Sequence, residues 1–393
     1  MGVCGHGAQP GGGHPGEVGG DRPGGVGARA GGRDPGCADA AAEQADRVVR
    51  LSGCIFRGRL DRGGVGAAAE SAALPDQRDD LRGVGAEPVR EAGVTRPGDA
   101  VSVVIPTIGR PSLRQAVESA LRQTVPPAEI VVVLDRDCVP DLPDTDVVQV
   151  IKTAGAQGPS RAKHMGVEAS RGDVIALLDD DDVWRPEKLE RQLAAAPAGA
   201  EWIMSCRFRR LLDGGEPIIG PRTLLDPLEP VAAYLFEMRE RQAFNMVQTS
   251  TLVFPRALTD AVPLSVAAGS IHDDPKWLME VRRTYPHLPI IQLPDPLVDI
   301  VWTAVSVSRA GIDRSAEYID WGISELAGES PRVRGDYMLT SAVGSALGAG
   351  SLRGVTRSIA AGVRYGRPGS LAWASAAKSL ARLGTQRLTR RER

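Results

Sequence analysis

Cysteine is scarce in this chain of 393 residues: there are five, Cys4, Cys37, Cys54, Cys138 and Cys206, and none are spaced as CxxC. An odd, scattered set argues against a disulfide framework or a structural zinc site and fits a reducing cytosol. Net charge is scarce too, with a formal balance of -2. No overall basic field exists to attract a nucleic-acid backbone. No stretch reaches the roughly 18 uninterrupted apolar residues of a membrane span. The start lacks an apolar h-region behind a basic segment, so no secretory signal is read. Residues 1–98 have no lysine, a single aromatic, Phe56, and about half of the 46 glycines. Such a segment buries too little apolar surface to offset its ordering entropy. It is expected to be a disordered Gly/Ala/Arg-rich extension with one short helix candidate at residues 38–49.

Residues 99–309 read as alternating strand and helix. VSVVIP (101–106) is a β-branched run and reads as a buried strand. Ser112 is placed to cap a helix whose one face carries Leu113, Ala116, Val117, Ala120 and Leu121. EIVVVLD (129–135) and DVVQVI (146–151) read as the next strands. PSRAKHMGVEAS (159–170) reads as a helix with Pro159 in its first turn. DVIALL is a further strand, and Pro186 opens another helix. FNMVQTSTLVF (244–254) reads as a late strand and PLVDIVWTAVSVS (296–308) as a closing one. This order specifies an α/β fold with a mostly parallel sheet flanked by helices.

The most informative stretch is VIALLDDDDVW, in which Asp179, Asp180, Asp181 and Asp182 follow a short buried strand. Four carboxylates so close repel one another strongly unless a cation sits among them. Open α/β sheets bind ligands just beyond the carboxyl ends of their strands. A hard divalent ion, Mg²⁺ or Mn²⁺, held by one or two carboxylates and by substrate phosphates is the expected occupant. Pro106 and Thr107 end the first strand at the same crevice. Gly158 permits close backbone approach to a ligand, and Arg161 in the first turn of a helix is suited to phosphate oxygens. Lys163 and His164 are expected on solvent-facing sides of that helix. Trp184 is read as packing, and Thr249, Ser250 and Thr251 either line an acceptor or simply alternate along a strand. In HDDPKW, an Asp followed by Pro is also a strong helix-capping pair.

The pieces VSVVIPTIGRP, EIVVVLDRD, GPSRAKHMGVEASRGDVIALLDDDDVWRPEKLERQ and IHDDPKWLMEV occur in an order that resembles family 2 glycosyltransferases of the GT-A (nucleotide-diphospho-sugar transferase) fold. The resemblance covers residues 101–281. It implies inverting transfer of a sugar from a nucleotide-diphosphate donor, a UDP-sugar first of all, to an acceptor hydroxyl. It implies that Arg110 contributes charge near the diphosphate and that Asp135 meets the base, although Arg136 and Asp137 depart from the family's D-G-S pattern. It places Arg161 towards the donor, Asp179 on the ribose and Asp181 on the metal, with Asp180 or Asp182 a supporting partner. Asp274 aligns with the catalytic base, with Asp273 as its neighbour and a weaker candidate.

Residues 310–393 are helix-prone and basic, with ten Lys/Arg and one acid, Glu392, from Ser351 onwards. This is either a packing helix with a basic end or a site of peripheral contact with anionic lipid. The consequent reading is a cytoplasmic protein, peripheral at the inner membrane face if the tail meets lipid, acting on a glycan, lipid-linked or small-molecule acceptor. Two rivals stand beside it. A nucleotidyl- or phosphotransferase would use a similar acidic site, but no GxxxxGK[ST] loop is present. A non-catalytic nucleotide-sugar or glycan-binding module would not require the carboxylate of Asp274.

Overall fold

The computed structural model describes residues 100–199, 201–211, 215–240, 245–264, 271–301 and 312–391. The expected disordered extension and the helix at 38–49 lie outside the described residues. The first half follows the sequence pattern: β1 (Val101–Thr107), α1 (Leu113–Leu121), β2 (Glu129–Leu134), β3 (Val148–Lys152), α2 (Pro159–Ala169) and β4 (Val174–Leu177). These four strands are parallel in the order β3-β2-β1-β4. β1 and β2 are buried along their whole length, as strands covered on both faces must be. Alternate side chains serve separate cores: Val104, Val131 and Val133 enter one, and Val103, Ile105, Ile130 and Val132 the other.

Beyond β4 the sheet changes character. β5 (Asp182–Trp184), α3 (Lys188–Ala195), β6 (Ile203–Leu211), β7 (Ile218–Gly220), α4 (Val231–Phe236), β8 (Val253–Pro255), α5 (Leu258–Ala261), α6 (Asp273–Thr284) and β9 (Ile290–Val301) follow. The sheet extends from β4 through β8, β6 and β9 to β5, with antiparallel pairs β4–β8, β6–β8 and β5–β9 and a parallel β6–β9 pair. The whole is therefore a mixed α/β sheet flanked by helices, parallel only in its first four strands and at β6–β9. Short strands such as β5 and β8 are too brief to show their direction in the sequence.

Chain order fixes the crevice. β2 and β3 lie on one side of β1 and β4 on the other, so the order reverses between β1 and β4. Ligands of open α/β sheets bind outside the carboxyl ends at such a switch. Thr107 ends β1 there, and Asp179 follows β4 by two residues.

The C-terminal region is helical, as read: α7 (Ser315–Glu325), α8 (Pro331–Tyr337), α9 (Val343–Gly348), α10 (Leu352–Tyr365) and α11 (Ser370–Arg391). It is fastened to the helix after the HDD motif. Lys276 Nζ meets Glu325 Oε1 at 3.2 Å, and Arg283 donates to the Glu325 carbonyl at 2.8 Å. No helix among the described residues is long and apolar enough to cross a membrane.

Candidate active site

Thr107 and Arg110 reach from the end of β1 to the acidic run. Thr107 Oγ1 donates to Asp180 Oδ2 at 2.5 Å, and Arg110 donates to Asp180 Oδ1 at 2.7 Å and Asp181 Oδ2 at 3.0 Å. Asp180 is thus buried with both oxygens engaged, which suits a supporting partner. Asp181 is the half-exposed member, its side chain 41% accessible. Burial raises its carboxyl above the usual range, Arg110 opposes this, and Asp180 adds to it. Pro106 is buried within β1 and brings no polar side-chain atom to the crevice.

Asp179 and Asp182 are held by a turn where the sequence pattern predicts strand. Residues 244–254 are expected to be extended; instead Thr249–Thr251 forms a 3₁₀ turn, and only Val253–Pro255 is strand. The cause is local: Thr251 N–H and Oγ1 both bond the Gln248 carbonyl, closing the chain on itself. Ser250 Oγ then accepts from the Asp179 N–H at 3.0 Å and donates to Asp182 Oδ2 at 2.5 Å. Trp184 is buried, and its Nε1 donates to the Ser250 carbonyl at 2.8 Å, so it packs and braces the turn. Burial pushes the Asp179 carboxyl up to about 7; Lys163 lowers it, and Asp274, Asp181 and Asp180 raise it further. Two acidic groups distant in sequence therefore share one electrostatic neighbourhood.

Lys163 joins them. The solvent-facing position expected for it does not hold: Lys163 is buried and its Nζ contacts Asp274 Oδ1 at 2.5 Å and Thr249 Oγ1 at 3.5 Å. A signal for this is present in the sequence, because Ser160, Lys163 and Val167 recur at helical spacing on the buried face of α2. Burial alone would depress its ammonium, but Asp274, Asp179 and Asp273 raise it above the ordinary lysine value. Arg161, which the resemblance turns towards the donor, is exposed on α2. The cation that faces Asp274, Asp179 and Asp273 is Lys163. His164 is half-buried and pairs with Glu168 at 3.3 Å.

Asp273 and Asp274 lie in the first turn of α6, and the N-cap position belongs to His272 with a left-handed backbone, φ 58°. Asp274 therefore does not cap the helix. Its oxygens bond Lys163 and Thr249. Asp273 accepts from Ser160 Oγ, and burial lifts its carboxyl to about 6. The His272 ring turns away from the acids, edge-on to Phe236, Tyr318, Trp321 and Tyr337, and burial depresses it to about 4. It packs among these aromatic rings.

Asp135 follows β2 and builds the neighbouring loop. It accepts from Thr153 Oγ1, from the Gln157 N–H at 2.9 Å and from the Gly158 N–H at 2.7 Å. Gly158 has φ +84°, a conformation costly for side-chain-bearing residues, which lets its N–H meet Asp135 while α2 begins one residue later. Ser112 stands at the N-cap of α1 without a side-chain bond, so the expected cap is not made.

These residues fit one kind of cation site. Among the described residues no group of three or more His, Cys, Asp or Glu is arranged to enclose a metal ion. Burial first, and then the neighbouring carboxylates, raise Asp179 and Asp181, and Asp181 has an accessible side chain. That suits an ion gripped by one or two carboxylates and completed by ligand phosphates, and not a full protein cage.

Residues 102–251 match the family model described as Glycosyl transferase family 2. The chain is 37% identical over 111 residues to the succinoglycan biosynthesis protein ExoO of Rhizobium meliloti, covering 27% of this chain and 32% of that protein. It is 40% identical over 160 residues to an uncharacterized glycosyltransferase of Nostoc, covering 38% and 48%. Among solved structures, S. aureus TarS 1-349 in complex with UDP-GlcNAc aligns with a TM-score of 0.45 at 13% identity, covering 67% of this chain and 81% of that one. The chain spans about a third to a half of the length of these curated relatives. The family match ends before Asp273 and Asp274, so only the geometry ties that pair to the matched domain.

Proposed function

We propose that the protein transfers a sugar, with inversion, from a nucleotide-diphosphate donor to an acceptor hydroxyl, a reading supported by the match of residues 102–251 to the family 2 glycosyltransferase model. One observation carries the reading: Asp274 is held by Lys163 and Thr249 beside Asp179, at the switch point where a diphosphate would bind. A binding module needs no carboxylate there, and a nucleotidyltransferase needs none opposite the diphosphate. A single displacement does.

In this mechanism Thr107 and Arg110 fix Asp180 and steady the rim, and Arg110 lies ready for phosphate oxygens. Asp179 faces the donor ribose, while Asp135 and Gly158 shape the base-side loop. Asp181, with Asp179 beside it, would hold Mg²⁺ or Mn²⁺, which when bound supplies positive charge against the diphosphate. Asp274 takes the proton of the acceptor hydroxyl as the hydroxyl oxygen bonds to the anomeric carbon. The bond to the donor's phosphate oxygen breaks, and its electron pair leaves with the nucleotide diphosphate. Lys163 keeps Asp274 oriented between turnovers. A UDP-sugar is the preferred donor, with dTDP- and GDP-sugars next. The acceptor is a glycan, a lipid-linked saccharide or a small molecule at the cytoplasmic side.

Calorimetry with UDP and Mn²⁺, paired with a turnover assay, tests this. Asp181→Ala is expected to lose the Mn²⁺-dependent part of UDP binding. Asp274→Asn should bind UDP as before while transfer falls by about 10²–10⁴-fold, the usual contribution of a general base. Undiminished transfer by Asp274→Asn would remove it from the base role.

A further inference from the structure

The outward face of the C-terminal helices is unaccounted for by sugar transfer. From Tyr337 to Arg391 the chain contains nine Lys/Arg and no Asp or Glu. A segment of that length with charge of one sign only is suited to a local positive field, although α7, which packs against α10, carries the exposed acids Glu317 and Asp320. Three of the nine stand on α10 and five on α11. The inner face of α10 is small: Gly354, Val355, Ser358, Ala361 and Gly362 are buried, and a Cβ on Gly362 would collide with the Leu339 side chain. Larger side chains are displaced outward. Arg353, Arg357 and Arg364 stand at i, i+4 and i+11, within about 40° of one another around the helix, and all are exposed. Leu352 and Val363 form an adjoining exposed row, at 38% and 59% accessibility. Tyr365 and Trp373, just beyond, are also exposed, and Arg364 lies 5.4 Å over the Tyr365 ring. Lys378 is exposed on the following helix. Asp313 is the acid that feels Arg357.

We propose that α10 (Leu352–Tyr365), joined by the exposed Trp373 and Lys378 of α11, docks on the surface of an anionic phospholipid bilayer, the arginines pairing with headgroup phosphates while Leu352, Val363 and Trp373 enter the interface. Charge complementarity selects an anionic partner. The apolar row beside the basic one selects a bilayer over a nucleic acid, because a nucleic-acid backbone offers nothing for Val363 or Leu352 to enter. Tryptophan and tyrosine at the edge of such a face are the residues that settle at headgroup level. The helices lie on the surface and do not cross it, consistent with their hydropathy. The inference is independent of the sugar-transfer reading. The two meet only in that α7 of the same helical region grips the helix bearing Asp274.

Flotation of the full chain with vesicles tests it. Phosphatidylcholine vesicles containing phosphatidylglycerol should carry the protein, phosphatidylcholine alone should not, and raised salt should release it. An Arg353→Gln, Arg357→Gln, Arg364→Gln variant should bind more weakly by about fivefold per arginine, on the order of 100-fold in all. Val363→Ser with Trp373→Ala should weaken binding with unchanged salt dependence. UDP binding by the same variants, unaltered, marks them as folded. Equal flotation by the triple variant overturns the proposal. So does a basic face that captures duplex DNA and ignores vesicles, or one that mediates self-association lost in the variant. Failure of UDP binding in the wild type would overturn the donor assignment alone, and flotation would still decide the role of this face.

Discussion

Two lysines lie buried in this domain, and they have opposite fates. Lys163 sits among carboxylates, 2.5 Å from Asp274, and its ammonium is raised above the ordinary value. Lys188 is also inaccessible, but its Nζ has no hydrogen-bond partner among the described residues and lies 4.1 Å above the Trp184 ring. Burial pulls it down to about 7. The same group is thus held charged at one place and driven towards neutrality at the other. Desolvation acts on both; only opposing charge distinguishes them. A buried ammonium that stays charged marks a place where negative charge is gathered, here that of Asp274, Asp179 and Asp273.

The largest effect should come from breaking the charged member. Lys163→Met leaves Asp274, Asp179 and Asp273 without their shared cation, and turnover is expected to fall about 10²–10³-fold, the scale of losing one preorganised electrostatic group. Lys188→Met keeps similar volume and removes an ammonium that makes no hydrogen bond among the described residues, so its turnover should match the wild type. Steady-state kinetics of the two variants side by side decide this. Equal losses would erase the distinction between the two sites.

One side of this comparison is legible in the sequence and the other is hidden. The four-carboxylate run stands out because it follows a buried strand, the HDD element because it resembles that of family 2 glycosyltransferases, and β1, α1, β2, α2 and β4 follow from β-branched runs and helical spacing. Lys163 is hidden because a lysine on a helix is usually solvated, and its burial depends on Asp274, 111 residues away. The Thr249–Thr251 turn is hidden for the opposite reason. Its hydroxyl-rich, β-branched residues look like strand, and their turn is stabilised by contacts to Asp179, Asp182 and Asp274 that only the folded chain brings near. Asp274 before Pro275 resembles a cap; a left-handed His272, packed by helices from beyond residue 312, moves the helix start back instead.

A smaller effect sharpens the contrast through pH. Lys188 has a folded value of about 7 against 10.5 for the free group. Between these, the unfolded chain binds more protons than the folded one, so stability rises with pH over that window. Thermal melts should show the wild type gaining on Lys188→Met as pH rises from about 7 to 10.5. A constant difference between the two melts would place Lys188 in contact with water or a counter-charge.

The smallest effect concerns Asp273, which borders the charged lysine yet is only partly relieved by it. Its carboxyl is raised from 3.8 to about 6, burial first, with Lys163 opposing and Asp274 adding. Here the folded chain binds the extra proton, so the sign reverses: stability contributed by the protonated form is present below 3.8 and is lost as pH rises through about 6. Asp273→Asn, neutral at every pH, should not show this decline. Melting temperatures of both proteins across that window should therefore diverge, the wild type falling relative to the variant. Parallel curves would mean that Lys163 offsets the burial of Asp273 in full, and that both carboxylates, not Asp274 alone, are available to the acceptor.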